Sequence, residues 1–98
     1  MLLPDHIQYI SADDTRFPPL LRQIGSPPQG LFFRGAITDL PAISIVGTRR
    51  NTSYGRRCID AIVPDLVAAG FTIVSGMALG IDGLVHQAAL NAGGKTIA

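Results

Sequence analysis

The 98-residue sequence contains no glutamate; all seven of its acids are aspartates. Chemistry that needs a glutamate as acid, base or ligand is therefore excluded here, and the aspartates stand mostly where they suit caps and turns. The single cysteine, Cys58, excludes an internal disulfide and any multi-cysteine metal site, and fits a reducing compartment. The single lysine, Lys95, follows Gly93-Gly94 in a context unlike the phosphate-binding G-x-x-x-x-G-K-[ST] loop. No apolar run approaches the roughly 18 residues of a membrane span. Met1-Leu2-Leu3-Pro4-Asp5-His6 offers no cationic region ahead of a cleavable apolar core, so no signal peptide is expected. Charged residues make up 15% of the chain and apolar ones 47%, which argues against disorder and for one globular domain at most. The expectation is a soluble cytoplasmic protein with no membrane contact, no metal and no cofactor.

What is present concentrates in one stretch, Ile43-Ser44-Ile45-Val46-Gly47-Thr48-Arg49-Arg50-Asn51-Thr52-Ser53-Tyr54-Gly55. The net charge of +1 says little, but Arg49, Arg50, Arg56 and Arg57 place half of the eight cations within nine residues. A buried strand running into a glycine-started loop that opens a helix presents backbone N–H groups and a positive dipole end. Such an end suits an anion, and the two loop arginines add donors that fork onto phosphate oxygens.

Ahead of this stretch the chain is rich in turns. His6-Ile7-Gln8-Tyr9-Ile10 alternates like a short strand, and Asp13-Asp14 suits a turn or cap. Phe17 to Ile24 suggests one or two helical turns, stopped by Gly25-Ser26-Pro27-Pro28-Gln29-Gly30. Leu31-Phe32-Phe33-Arg34-Gly35 is expected as a compact strand. Residues 1–35 are thus read as an N-terminal extension packing on the domain, with no motif for chemistry.

Residues 36–98 carry the repeating pattern. Strand 42–46 is almost wholly apolar, as in a parallel sheet covered on both faces. A helix is expected from Thr52 or Ser53 to Ala69, burying Cys58, Ile59, Ile62, Val63, Leu66 and Val67 and closed by Gly70. Pro64 predicts a kink near residues 60–64, or two short helices in series. Strand 71–74 leads into the small-residue loop 75–82. A second helix then buries Ile81, Leu84, Val85, Ala88 and Ala89, and Lys95-Thr96-Ile97-Ala98 begins a third strand. The order predicts right-handed βαβ crossovers and a Rossmann-like parallel sheet with helices on both faces. The chain reads as the first strands of a doubly wound domain, incomplete at its third core strand, whose bare apolar edge calls for more chain or a partner.

Both special loops follow core strands and so lie at the carboxyl end of the sheet, where such folds bind ligands. Gly47, Thr48, Arg49, Arg50 and Thr52 in the first, and Ser75, Gly76 and Gly80 in the second, are the candidate contacts. The glycines are read as permitting close approach of a ligand. Asp82 and His86, four apart on one helix, suggest a local pair or an acid–base couple. Tyr54 suggests either a base-stacking ring or a staple at the helix start, and Cys58 a core thiol. The dinucleotide fingerprint G-x-G-x-x-G is absent, which disfavours an oxidoreductase.

The sequence also resembles the DNA processing protein A family, DprA or Smf. The resemblance runs over Phe17-Pro18, Ser26-Pro27-Pro28 with Leu31-Phe32-Phe33-Arg34-Gly35, and Ile45-Val46-Gly47-Thr48-Arg49 with Thr52 and Tyr54-Gly55. It continues through Ile73-Val74-Ser75-Gly76-Met77-Ala78-Leu79-Gly80-Ile81-Asp82 with His86 and ends on Gly93-Gly94-Lys95-Thr96-Ile97-Ala98. It implies a non-catalytic Rossmann-like domain that binds single-stranded DNA, protects it during natural transformation and homologous recombination, and loads the RecA recombinase. It further implies a homodimer for the full-length protein, Arg49 as the DNA-pocket arginine, and Ser75, Gly76 and Gly80 as the phosphate-accepting loop. The alternative is a nucleotide-binding hydrolase of the phosphoribohydrolase type, whose usual Pro-Gly-Gly-x-Gly-Thr loop and catalytic glutamate are both missing here.

Overall fold

The computed structural model describes residues 6–38 and 40–98. These residues form two compact units, one within the first 39 residues and one spanning Leu40–Ala98.

The first unit is built on strands β1 (Gln8–Ser11) and β2 (Gly30–Phe33), paired antiparallel with Ile10 opposite Leu31. Between them a 3-10 helix, Pro19–Gln23, begins with proline where the missing N–H costs no bond. Phe17 is fully buried, and the Arg22 guanidinium lies 5.3 Å from its ring centroid while donating to the carbonyls of Ala12 and Asp14. The Asp14 carboxylate accepts the Arg16 backbone N–H at 2.8 Å and pairs with its guanidinium at 3.0 Å, the turn expected there. Hydrogen bonds from the Arg16 side chain, then from its backbone, hold the Asp14 carboxyl below its ordinary value. This small surface contribution is present above the ordinary carboxylate range and fades as pH falls through it.

The second unit carries three parallel strands, β3 (Ala42–Ser44), β4 (Thr72–Val74) and β5 (Thr96–Ile97), in the order β3-β4-β5. Ile43 stands beside Ile73, and Ile73 beside Thr96. The connections are helices α1 (Ser53–Ala68) and α2 (Ile81–Asn91). Ile59 and Val63 of α1, Ile73 of β4, and Val85 and Ala89 of α2 form one buried cluster, with Ile43, Ile45, Leu66, Val67, Ile81, Leu84 and Ala88 packed against it. Both helices therefore share one face of the sheet. Alternation and register turn Ser44, Val74 and Ile97 to the other face, which no helix covers among the described residues; Ile97 is 39% exposed.

Both helices stop the same way. Gly70 and Gly93 take positive φ (94° and 74°), and each is followed by the paired bonds of a Schellman motif: Phe71 N–H to Leu66 and Gly70 N–H to Val67, Gly94 N–H to Ala89 and Gly93 N–H to Leu90. Three expectations need correction. Helix α1 runs without a break through Pro64, not as two helices; Asp60 and Pro64 are both exposed, so the carbonyl the proline frees faces water. Ile62 is 51% exposed and Cys58 half-buried, because the buried stripe runs through Ile59, Val63, Leu66 and Val67 instead. Strand β3 ends at Ser44, two residues early; Ile45 still donates to Val74, and there the chain leaves the ladder.

Thr72 is fully buried, yet its hydroxyl finds no partner among the described residues. Thr72→Val keeps the shape and removes the unsatisfied group, so it is expected to raise stability by roughly 1 kcal/mol. A shift of the urea midpoint to higher concentration at unchanged m-value checks it.

Candidate functional site

The loop 45–52 leaves β3 at its carboxyl end and is tied down from its far side by the loop and helix that follow β4. The Ser75 hydroxyl, 5% exposed, donates to the Ile45 carbonyl at 2.6 Å. Gly47 N–H donates to Asp82 Oδ1 at 3.3 Å, and Ile81 N–H donates to the Thr48 carbonyl at 3.0 Å. Asp82, 7% exposed, lies in the first turn of α2, where a carboxylate suits the positive end of the helix.

The glycines have an internal task. A Cβ on Gly80 would fall 2.3 Å from the Thr48 carbonyl oxygen and 2.6 Å from the Arg49 carbonyl, and Gly80 adopts φ 79°, ψ −130°, which a side chain resists. A Cβ on Gly47 would strike Ile81 at 2.8 Å, and one on Gly76 would meet Asp82 Oδ2 at 2.9 Å. The sequence reading gave Gly76 and Gly80 room for a ligand. Beside Gly80 that room holds the backbone of Thr48 and Arg49, and beside Gly76 the Asp82 carboxylate. Ile81 was read only as a stripe residue, yet its amide bonds Thr48 and its side chain covers Gly47 and Gly55; nothing in its helical spacing signals that role.

What the clamp displays is cationic. Arg49 and Arg50 are exposed, and neither guanidinium makes a hydrogen bond or ion pair among the described residues. Thr48 Oγ1 accepts the Arg50 N–H at 3.1 Å, which rounds the loop. Thr52 is the N-cap of α1, its hydroxyl accepting the Gly55 N–H at 3.1 Å. The first turn of α1 holds no acid, and Arg56 and Arg57 follow it, also exposed. Cations at the positive end of a helix dipole are unfavourable by themselves and become favourable once an anion sits among them.

The remaining candidates are placed differently from expectation. Asp82 and His86 do not pair: Asp82 reaches across to Gly47, while His86 Nδ1 bonds Thr96 Oγ1 at 2.5 Å. Thr96 Oγ1 gives its own proton to the Ile73 carbonyl, so Nδ1 is the donor and the tautomer is fixed. Nε2 is buried without a partner among the described residues, and His86 borders a cavity of about 330 Å³ with Met77, Gly83, Thr96 and Ala98. Met77 is held at φ 62°, a conformation that costs a non-glycine residue roughly 1–2 kcal/mol. Tyr54 is 68% exposed and shares a hydrogen bond with Cys58 one turn on, which raises its phenol above the usual value. Cys58 is thus no core thiol. Among the described residues no cluster of His, Cys, Asp or Glu has a geometry that holds a metal ion. No described helix is long and apolar enough to cross a membrane.

The arrangement matches known proteins over nearly its whole length. The family of DNA recombination-mediator protein A matches residues 8–98. Protein Smf of Synechocystis is 42% identical over 97 residues, covering 93% of this chain and 24% of the relative. DNA processing protein DprA of Bacillus subtilis is 39% identical over 94 residues, covering 93% of this chain and 32% of its own. The chain thus spans about a quarter to a third of the length of these curated relatives. Solved DprA from Streptococcus pneumoniae superposes with a TM-score of 0.85 at 34% identity, over 96% of this chain and 34% of that one. DprA from Helicobacter pylori, solved in work on its single-stranded DNA binding mode, superposes at 0.73 and 34% identity, over 93% of this chain and 41% of that one. The family match over residues 8–98, with a backbone matched over 96% of the chain, places this chain and its clamped, arginine-bearing loop in the DNA recombination-mediator protein A (DprA/Smf) family.

Proposed function

We propose that this chain binds the sugar–phosphate backbone of single-stranded DNA through the loop 47–52 and the start of α1, without catalysis. The observation that carries the reading is the pair of arginines, Arg49 and Arg50, unpartnered among the described residues, on a loop whose backbone is fixed from behind by Ser75, Gly80, Ile81 and Asp82. Rigid display lets the guanidiniums meet phosphate oxygens with little further loss of side-chain and loop freedom. In this reading Arg49 and Arg50 touch DNA, Gly47, Thr48 and Thr52 shape the loop, Ser75 and Gly80 support it from behind, and Gly76 leaves room for the Asp82 carboxylate that holds Gly47. The wider role in this reading, drawn from the resemblance of the sequence to that family, is cytoplasmic: protection of single strands in natural transformation and recombination, delivery of RecA, and action as a homodimer.

The hydrolase alternative needs an acid at the site. Asp82 is the acid nearest the loops, and it is buried and engaged with the Gly47 amide. Release of adenine from AMP by the purified protein would revive that alternative.

The test is fluorescence anisotropy of labelled oligo-dT at two salt concentrations, with duplex as competitor. Arg49→Ala is expected to weaken binding and to lower the slope of log K against log salt by about 0.7, one phosphate contact on a single strand. Unchanged affinity and slope would move the site elsewhere.

A further inference from the structure

The hairpin of the first unit carries a feature that the arginine loop does not explain. Ile10 turns inward and is 2% exposed, so its neighbour Tyr9 faces out, beside its cross-strand partner Phe32. The two rings are 47% and 66% exposed, with centroids 4.9 Å apart and planes tilted by 50°. Gly30 shares their face of β2. A Cβ there would fall 2.1 Å from Tyr9 Oη and 2.3 Å from Cζ, so the far end of the tyrosine ring occupies the space over bare backbone. Ser11, opposite Gly30, completes a face without a carboxylate. Just past β2, Arg34 is exposed and free of hydrogen bonds and ion pairs among the described residues.

We propose that this outer face, Tyr9 and Phe32 with Arg34 at its end, is a stacking surface for the bases of a single-stranded nucleic acid. The inference rests on the single-strand reading above and supplies what that reading lacks. Sequence-tolerant single-strand binding combines phosphate neutralisation with aromatic rings on which bases lie. The loop 47–52 offers the first and carries no ring besides the neighbouring Tyr54. Two adjacent exposed rings on a two-stranded sheet offer the second, and an unpaired arginine beside them adds cation–π attraction and a phosphate contact. Among the described residues the face carries no acid and ends on an arginine, which complements a polyanion better than an apolar protein surface.

The experiment measures oligo-dT binding by this chain as two single variants, Phe32→Leu and Arg49→Ala. Phe32→Leu keeps apolar bulk and loses the π face. It is expected to weaken binding about fivefold or more at an unchanged salt slope, since stacking releases no counterions. Arg49→Ala changes the slope. A second readout uses the absence of tryptophan and the presence of two tyrosines. Oligo-dT is expected to quench tyrosine emission saturably in the parent, and Tyr9→Phe is expected to lose that quench. Parent-like affinity in Phe32→Leu, with Arg49→Ala still impaired, overturns the stacking surface and spares the loop. A parent that binds no oligo-dT overturns both. Sedimentation showing that Phe32→Leu separates a dimer of the chain without altering dT affinity assigns the face to a second copy and overturns the proposal.

Discussion

Gly80→Ala is expected to destabilise the unit formed by residues 40–98 by roughly 2–5 kcal/mol, from backbone strain and overpacking together. The new methyl group would meet the backbone of Thr48 and Arg49 at 2.3–2.6 Å, and neither is the yielding end of a side chain. The positive φ of 79° adds its own penalty. Relief requires the loops to part, which breaks the bond from Ile81 N–H to the Thr48 carbonyl and lets Arg49 drift. Urea unfolding followed by far-ultraviolet circular dichroism measures the first effect. Oligo-dT anisotropy on whatever fraction remains folded measures the second. A parent-like midpoint would mean that the loops do not meet at this glycine.

Asp82→Ala is expected to be next in size, at roughly 1–3 kcal/mol, because it leaves the Gly47 amide without its acceptor and empties a buried position. It also removes the one acid from the first turn of α2. Asp82→Asn retains an oxygen that can accept from Gly47 and is expected to recover most of the loss. If Asn behaves no better than Ala, the negative charge matters more than the hydrogen bond. Neither variant removes an arginine, so the salt slope of DNA binding should stay near that of the parent once the protein is folded.

Much of the fold was legible because it rests on local rules. The apolar spacing and the two glycine stops of α1 and α2 marked both helices to within a residue or so. The β-branched runs marked the parallel strands of the second unit. Position on the helix was harder: Ile62 satisfies the same spacing as Ile59 and Val63, and only packing against α2 and β4 decides which side is covered. Of the two outcomes that Pro64 suggested, division into two helices does not occur, because what the proline costs depends on whether the freed carbonyl can reach water, and Asp60 is exposed. In the site, the arginines were legible as cations at a strand's carboxyl end. The glycines were legible as positions of close approach, but what approaches Gly47 and Gly80 is 30 or more residues away in sequence. No spacing rule encodes the pairing of Gly80 with Thr48, of Gly47 with Ile81, or of Ser75 with Ile45. Asp82 and His86 show the same limit: four apart on one helix, each bonds a different strand or loop.

The strand order β3-β4-β5 has a consequence for the shape of any groove at this end of the sheet. Each strand is laid down beside its predecessor, so the strand that launches Arg49 has β4 on one flank and, among the described residues, no paired strand on the other. A crevice in an open parallel sheet needs two banks, formed where neighbouring strands send their connections to opposite sides. The loops after β3 and β4 are stitched together and make one bank only. A backbone that docked along that edge of β3 would supply the opposite bank. It would lie about 4.8 Å from the arginine strand, and its first loop would set the width of the groove.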